Sequence, residues 1–284
     1  MTEITQSLSE KHLRSHLRDI VFSWLQHVSK NLNRVGLNNV VYDLLHSMSC
    51  QIVDSMNEDV VFSHFLTQDD YHIVFKKTHY NLCIIINNHR KYKITIGINA
   101  RIAHRNCRTA TTHFQRNPSI STTSSISGPD YHIECSDIIE GRILQSVFFK
   151  NVGEDPLISI EKEMKNINFD IVLKLVENFV KINYNVVDKN PKDPLFYPND
   201  NHPGNFLIVH EKTIPELVCI DYDHILSTPS ENYIDNVVNT FFQYIHEYED
   251  IKFYSNWWAE HVLKYTIDES KEMLRESIKN GLYK

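Results

Sequence analysis

The chain has 284 residues, 42% of them hydrophobic and 23% charged, which is ordinary for a globular protein and long enough for a substantial core in one large domain or two small ones. Thirty-six acidic residues against 29 basic ones leave a net charge of −7, which speaks against general nucleic-acid binding through a basic surface. No run approaches the ~18 apolar residues of a membrane helix, and the polar N-terminus MTEITQSLSEKHLRSH has no apolar signal core.

The first sixty residues read as two helices. Ser7 and Glu10 match a capping box, and Leu13, Leu17, Ile20, Val21, Trp24, Leu25, Val28 and Leu32 follow helical spacing until Gly36. Asn38 or Asn39 caps a second helix whose buried stripe is Val41, Leu44, Leu45, Met48, Ile52 and Met56. After Asp59 the texture changes. YHIVFKK, NLCIIIN and KYKITIGIN are short β-branched or aromatic runs parted by turn residues, which predicts a three-stranded antiparallel meander. The Ser/Thr stretch SISTTSSISGP before Asp130 reads as a mobile surface loop, and IIEGRILQSVFFKN returns to strand character.

From Phe169 the pattern is helical again, with Asn168 as cap and Phe169, Val172, Leu173, Val176, Phe179 and Val180 on one face. The loop PKDPLFYPNDNHPGN follows, then two strands, FLIV and LVCID. Two further apolar stripes, Ile234 to Ile245 and Trp257 to Ile278, predict C-terminal helices. The expected fold class is α+β with two lobes: an N-terminal helical element over 1–57, a β-rich N-lobe over 58–152, and a mostly helical C-lobe over 153–284, joined near 150–156.

The chemistry concentrates in one segment. Asp200 precedes Asn205 by five positions in a Pro/Gly-containing loop, and Asp221 and Asp223 follow at the end of an apolar strand. A hairpin of that length brings both acidic ends to one edge. Phosphoryl transfer from a nucleotide needs a carboxylate to receive or orient the attacking hydroxyl, and a carboxylate with an amide oxygen to hold Mg²⁺. The plain alternative is a turn, because Asp, Asn, Pro and Gly are what turns select. A turn alone does not explain a buried-looking strand ending in Asp-x-Asp.

The segment DNHPGNFL followed by IDYD resembles the catalytic and metal-binding loops of the protein-kinase-like superfamily. It is most similar to the aminoglycoside phosphotransferase, choline kinase and ubiquinone-biosynthesis branches, and the lipopolysaccharide sugar kinases have similar loops. The resemblance covers about 55 residues, from Phe169 to Asp223. It implies a two-lobed kinase-like fold that uses ATP and Mg²⁺. Asp200 then matches the catalytic Asp, His202 the loop histidine, Asn205 and Asp221 the metal ligands, and Asp223 a secondary metal candidate. The phosphate-contacting lysine is Lys76, in HIVFK, or Lys93, in YKITI.

Two departures stand out. No glycine lies between Gly36 and Gly97, where a glycine-rich loop is expected, and no acidic residue lies between Lys93 and Asp130 to pair with the lysine; Glu134 or Glu140 serves only if the chain folds back. The partners implied are a nucleotide and a hydroxyl acceptor on a protein, sugar or small alcohol, with no nucleic acid and no membrane span. The alternative is an inactive pseudokinase acting as a binding module.

Other constellations are weaker. His104, Cys107 and His113 lack a fourth zinc partner; STTSS with Glu247 and Glu249 only faintly resembles ADP-ribosyltransferase elements; Trp257 and Trp258 read as aromatic core. Five scattered cysteines without a CxxC pair point to a reducing compartment, so the expected location is cytoplasmic, and delivery into another cell would leave no mark in the sequence.

Overall fold

The computed structural model describes residues 2–6, 10–33, 39–68, 71–114, 123–145, 167–184, 197–198, 202–209, 215–221, 225–226, 232–247 and 264–283. The architecture is α+β. The chain divides into two compact units, Met1–Cys107 with Thr123–Ile138, and Arg108–Thr122 with Ile139–Lys284. The proposed joint near 150–156 and the cap residues Ser7, Gly36 and Asn38 lie outside the described residues.

In the first unit, strand β1 (Thr2–Gln6) leads into helices α1 (Glu10–Asn33) and α2 (Asn39–Ser55) and the short α3 (Val60–Phe65). The meander follows as β2 (Tyr71–Lys77), β3 (Asn81–Ile86) and β4 (Arg90–Ile96). Helix α4 (Ile98–Phe114), which from Arg108 on is counted with the second unit, precedes β5 (Thr123–Ser127) and β6 (Tyr131–Asp137) in the chain. All neighbours are antiparallel, in the order β1-β2-β3-β4-β6-β5. Five features of this unit were not anticipated: β1, α3, α4, β6, and the strand β5 formed by the Ser/Thr segment expected to be a mobile loop. Backbone pairing explains β5, because a strand at the edge of a sheet needs no apolar run to satisfy its hydrogen bonds on one side.

Alternation gives this sheet two unlike faces. Ile73, Phe75, Leu82, Ile84, Tyr92, Ile94, Ile133, Cys135 and Ile126 share one face, and they form one core with Leu13, Leu17, Val21, Trp24 and Leu25 of α1, Ile52 and Val53 of α2, and Phe62 of α3. Within that core Arg90 makes a two-pronged pair with Asp59, Nε to Oδ2 at 2.9 Å and Nη2 to Oδ1 at 3.0 Å, while the Tyr92 hydroxyl donates to Asp59 Oδ2 at 2.8 Å. The opposite face carries Lys76, Cys83, Lys91, Lys93, Thr95, His132 and Glu134.

In the second unit β7 (Arg142–Ile143), β9 (Phe206–Val209) and β10 (Glu216–Cys219) form a sheet ordered β10-β9-β7, and β8 (Tyr197–Pro198) pairs with β11 (Ile225–Leu226). Helices α5 (Phe169–Tyr184), α6 (Tyr233–Glu247) and α7 (Ile267–Tyr283) complete it. Asn168 caps α5 as anticipated, its side-chain oxygen accepting from the Ile171 N–H at 3.0 Å. The last helix begins later than its apolar stripe suggested. Thr266 and Glu269 close a reciprocal capping box, with the Thr266 N–H donating to Glu269 Oε2 at 2.8 Å and the Glu269 N–H to Thr266 Oγ1 at 3.2 Å, so residues 264–266 are not helical. Val176, Phe179, Phe206, Leu217, Phe241, Leu274 and Ile278 meet around a small apolar cavity between α5, α6, α7 and the hairpin. Among the described residues no helix is long and apolar enough to cross a membrane.

Candidate functional site

The segment His202-Pro203-Gly204-Asn205 builds a tight structure from its own side chains. Pro203 opens a single 3-10 turn over Pro203–Asn205, where its fixed φ and missing N–H cost nothing. His202, in extended conformation, caps this turn: its Nδ1 accepts from the Gly204 N–H at 2.7 Å, and its carbonyl accepts from the Asn205 N–H at 2.8 Å. An accepting Nδ1 fixes the neutral ring with its proton on Nε2. A Cβ at 204 would stand 2.7 Å from His202 Nδ1 and Cε1, so any larger residue there would push the capping ring aside.

Asn205 then hands the chain to β9, all four residues of which are buried. The hairpin register pairs Phe206 with Cys219, and the Ile220 N–H extends the ladder by donating to the Asn205 carbonyl at 2.9 Å. Because the strands are antiparallel, the residue before β9 and the residues after β10 come to the same end. Asn205 and Asp221 are therefore neighbours at one hairpin edge, both half-buried. Leu207, Val209 and Val218 pack with Ile143 beneath the hairpin. Cys219 Sγ donates to the Asp221 carbonyl at 3.1 Å.

Asp200 and Asp223 lie outside the described residues. The flanking backbone is described: β8 ends two residues before Asp200, β11 begins two residues after Asp223, and these strands pair through Pro198 and Ile225.

The two candidate lysines differ sharply. Lys93, on the third strand of the meander, is 8% exposed, whereas Lys76 is exposed at the end of β2. They belong to one row across the sheet, in which Lys76 faces Cys83, Cys83 faces Lys93, Lys93 faces Glu134, and Glu134 faces Ser125. Glu134 is 7% exposed. Sequence reasoning named Glu134 only on condition that the chain folded back. The α4 crossover does fold it back, 41 positions later, and the polar alternation in YHIECSD was the available signal.

Beside this row sits a trio that sequence reasoning missed. Ser127 Oγ lies 2.9 Å from His132 Nδ1 and 2.9 Å from His104 Nδ1, and the two rings meet edge-on. His132 is fully buried, and its Nε2 lies 3.9 Å from Glu134 Oε1. Burial, with the neighbouring charges of His104 and Lys93, lowers its pKa to about 4.

The turn between β2 and β3, where the resemblance implies a glycine-rich loop, is closed instead by Thr78. Its Oγ1 accepts from the Asn81 N–H at 2.9 Å, and its carbonyl accepts from Trp24 Nε1 at 3.0 Å.

The chain is similar to solved kinases. It matches WbdD with 14% identity and a TM-score of 0.41, covering 72% of this chain and 45% of that one. Another WbdD structure, titled a bifunctional kinase–methyltransferase, matches with 16% identity and a TM-score of 0.37, covering 71% and 43%. The PK-1 kinase of Cydia pomonella granulovirus matches with 15% identity and a TM-score of 0.45, covering 78% and 92%. This chain thus spans under half the length of WbdD. No family model matches the sequence, and no curated protein does.

Proposed function

We propose that the protein is a kinase-like phosphotransferase that moves the γ-phosphate of ATP to a hydroxyl on a protein, a sugar or a small alcohol. The observation that carries this reading is the hairpin edge, where the Ile220-to-Asn205 backbone hydrogen bond of 2.9 Å holds the chain at Asn205 and Asp221 at one end of β9–β10. An amide oxygen and a carboxylate are donor types suited to a hard cation, so these two residue types fit Mg²⁺. Bound there, Mg²⁺ would supply charge neutralisation at the phosphates. His202 holds the turn that orients Asn205. Asp200 would accept or orient the proton of the attacking hydroxyl, and Asp223 is a secondary ligand. Lys93 would hold phosphate oxygens, in keeping with its place on the third strand of the meander.

A second reading is favoured by one observation. The tied Thr78 turn offers no glycine backbone to cover phosphates, as would suit an inactive binding module. Thermal unfolding with ATP, with and without Mg²⁺, separates the two. At about 100 times its Kd a nucleotide adds about 2.7 kcal/mol of stability. Asp221→Ala should remove the Mg²⁺-dependent part and remain folded. Asp200→Asn should keep Mg-ATP binding and lose transfer of labelled γ-phosphate to the acceptor by ~10²- to 10⁴-fold. If the wild type gains no Mg²⁺-dependent stability, the phosphotransferase reading fails. If Asp200→Asn keeps full transfer while Asp221→Ala is dead, the catalytic assignment is wrong.

A further inference from the structure

We infer that Ser127, at the end of β5, is a hydroxyl acceptor for the phosphotransferase activity of a second copy of the chain, and that its phosphate is held against α4 by His104 and Arg101. This rests on the phosphotransferase reading above. Ser127 is exposed and ends an edge strand, so it offers a transferring enzyme an extended segment with one side uncovered. Its neighbours single it out among the serines of β5. Ser125 stands opposite Glu134, whose carboxylate would repel a phosphate. Ser124 meets Arg90, which is already bound to Asp59 and Asp137.

Ser127 instead has an imidazole on either side, its Oγ 2.9 Å from Nδ1 of His104 and 2.9 Å from Nδ1 of His132. One hydroxyl donates to one ring and accepts an N–H from the other. A phosphate dianion has only acceptor oxygens, so both rings must then present N–H. His132 can do so: it is fully buried and its Nε2 makes no hydrogen bond, so none is lost when the proton sits on Nδ1. The helix supplies the charge, because α4, INARIAHRNCRTATTHF, contains no Asp or Glu. Arg101 is exposed and lies three residues before His104, on the same helix face, where Cβ atoms are about 5–6 Å apart, so its guanidinium can reach a phosphate on Ser127. The Gly97 N–H donates to the Asp130 carbonyl at 2.9 Å, so Arg101 falls between two points where this segment is tied to the β5–β6 hairpin. In the transfer, the Ser127 O–H bond and the bond from Pγ to the ADP oxygen break, and the Oγ–Pγ bond forms. ADP leaves with the electron pair, and the proton goes to Asp200 of the copy acting as enzyme.

The test mixes phosphatase-treated wild type with γ-labelled Mg-ATP and a size-tagged Asp200→Asn copy, and maps the label by mass spectrometry. Label should appear on the tagged copy at Ser127, vanish when that copy also carries Ser127→Ala, and return as phosphothreonine with Ser127→Thr. The phosphorylated chain should unfold roughly 2–4 °C above the dephosphorylated one. Arg101→Gln and His104→Asn in the tagged copy should each remove that rise while keeping the label. A serine that is merely exposed would take label without the rise, and that result overturns the role given to α4. If ATP stabilises the wild type in a Mg²⁺-dependent way but the tagged copy stays unlabelled, or is labelled only elsewhere, this inference is overturned and the phosphotransferase reading stands. If the wild type gains no such stability and no label appears, both fall together.

Discussion

Replacing Asp59 tests what holds the first unit together. This carboxylate is 7% exposed and accepts from Arg90 Nε at 2.9 Å, Arg90 Nη2 at 3.0 Å, the Tyr92 hydroxyl at 2.8 Å, and the Val61 N–H at 3.4 Å as the cap of α3. In Asp59→Ala the Tyr92 hydroxyl, fully buried, loses its acceptor, and the Arg90 guanidinium keeps only a weak contact to Ser124 Oγ and the more exposed Asp137. Breaking a buried pair costs about 3–5 kcal/mol, and the long capping bond adds about 0.5. Against a total stability of about 5–15 kcal/mol, a large share of the fold is lost. Native-state hydrogen exchange at the amides of β4 and β6 reads this unit separately from the other. Adding Arg90→Met should restore part of the loss, because it removes the stranded charge. A loss below about 1 kcal/mol in Asp59→Ala would refute the reasoning, since it would mean that water replaces the carboxylate at no cost.

Two further outcomes are expected. His132 binds its proton near pH 6.5 when unfolded and near 4 when folded, so the unfolded state takes up the proton first on acidification. Stability should fall by ~3 kcal/mol as pH drops from 6.5 to 4, and His132→Asn should flatten that part of a stability-against-pH curve; an unchanged slope would show that the ring is charged in the fold. Lys93→Ala should weaken nucleotide binding more than Lys76→Ala, because Lys93 is buried on the third strand and Lys76 is exposed two strands away. The reverse order, measured by titration with a fluorescent nucleotide, would exchange the two lysines.

What the sequence disclosed follows from how strongly each element's apolar residues repeat. The stripes of α1 and α5, the runs of the meander, and the short FLIV and LVC strands are periodic enough to read directly, whereas on α2 the expected stripe fails at Leu44, which is exposed, and ends with Met56 in the turn after the helix. Helix α4 escaped because its buried apolar residues, Ala100, Ala103, Cys107 and Ala110, are small, and the polar Asn106 is buried among them, so they look like no stripe. The strand β1 escaped because TEITQ is polar and owes its place to backbone pairing with β2. The start of α7 was misjudged because the apolar stripe outweighed the capping signal at Thr266 and Glu269. At the candidate site the Asn205–Asp221 adjacency was legible from spacing, since a hairpin converts chain distance into proximity. The Lys93–Glu134 register was not, because it depends on which edge of the meander the chain returns to after α4.

That return has a consequence for how the chain acquires its shape. The core under α1 and α2 includes Ile133 and Cys135, and β6 reaches the meander by pairing along β4, from Arg90 opposite Asp137 to Ile96 opposite Tyr131. Closing it therefore demands contacts between segments about 35 to 47 positions apart, which are entropically slow to form. During synthesis the apolar stripes of α1 and α2 leave the ribosome long before their last partners do. The nascent first hundred residues must wait with Leu17, Trp24 and Ile52 incompletely covered, in a state open to chaperone capture or aggregation.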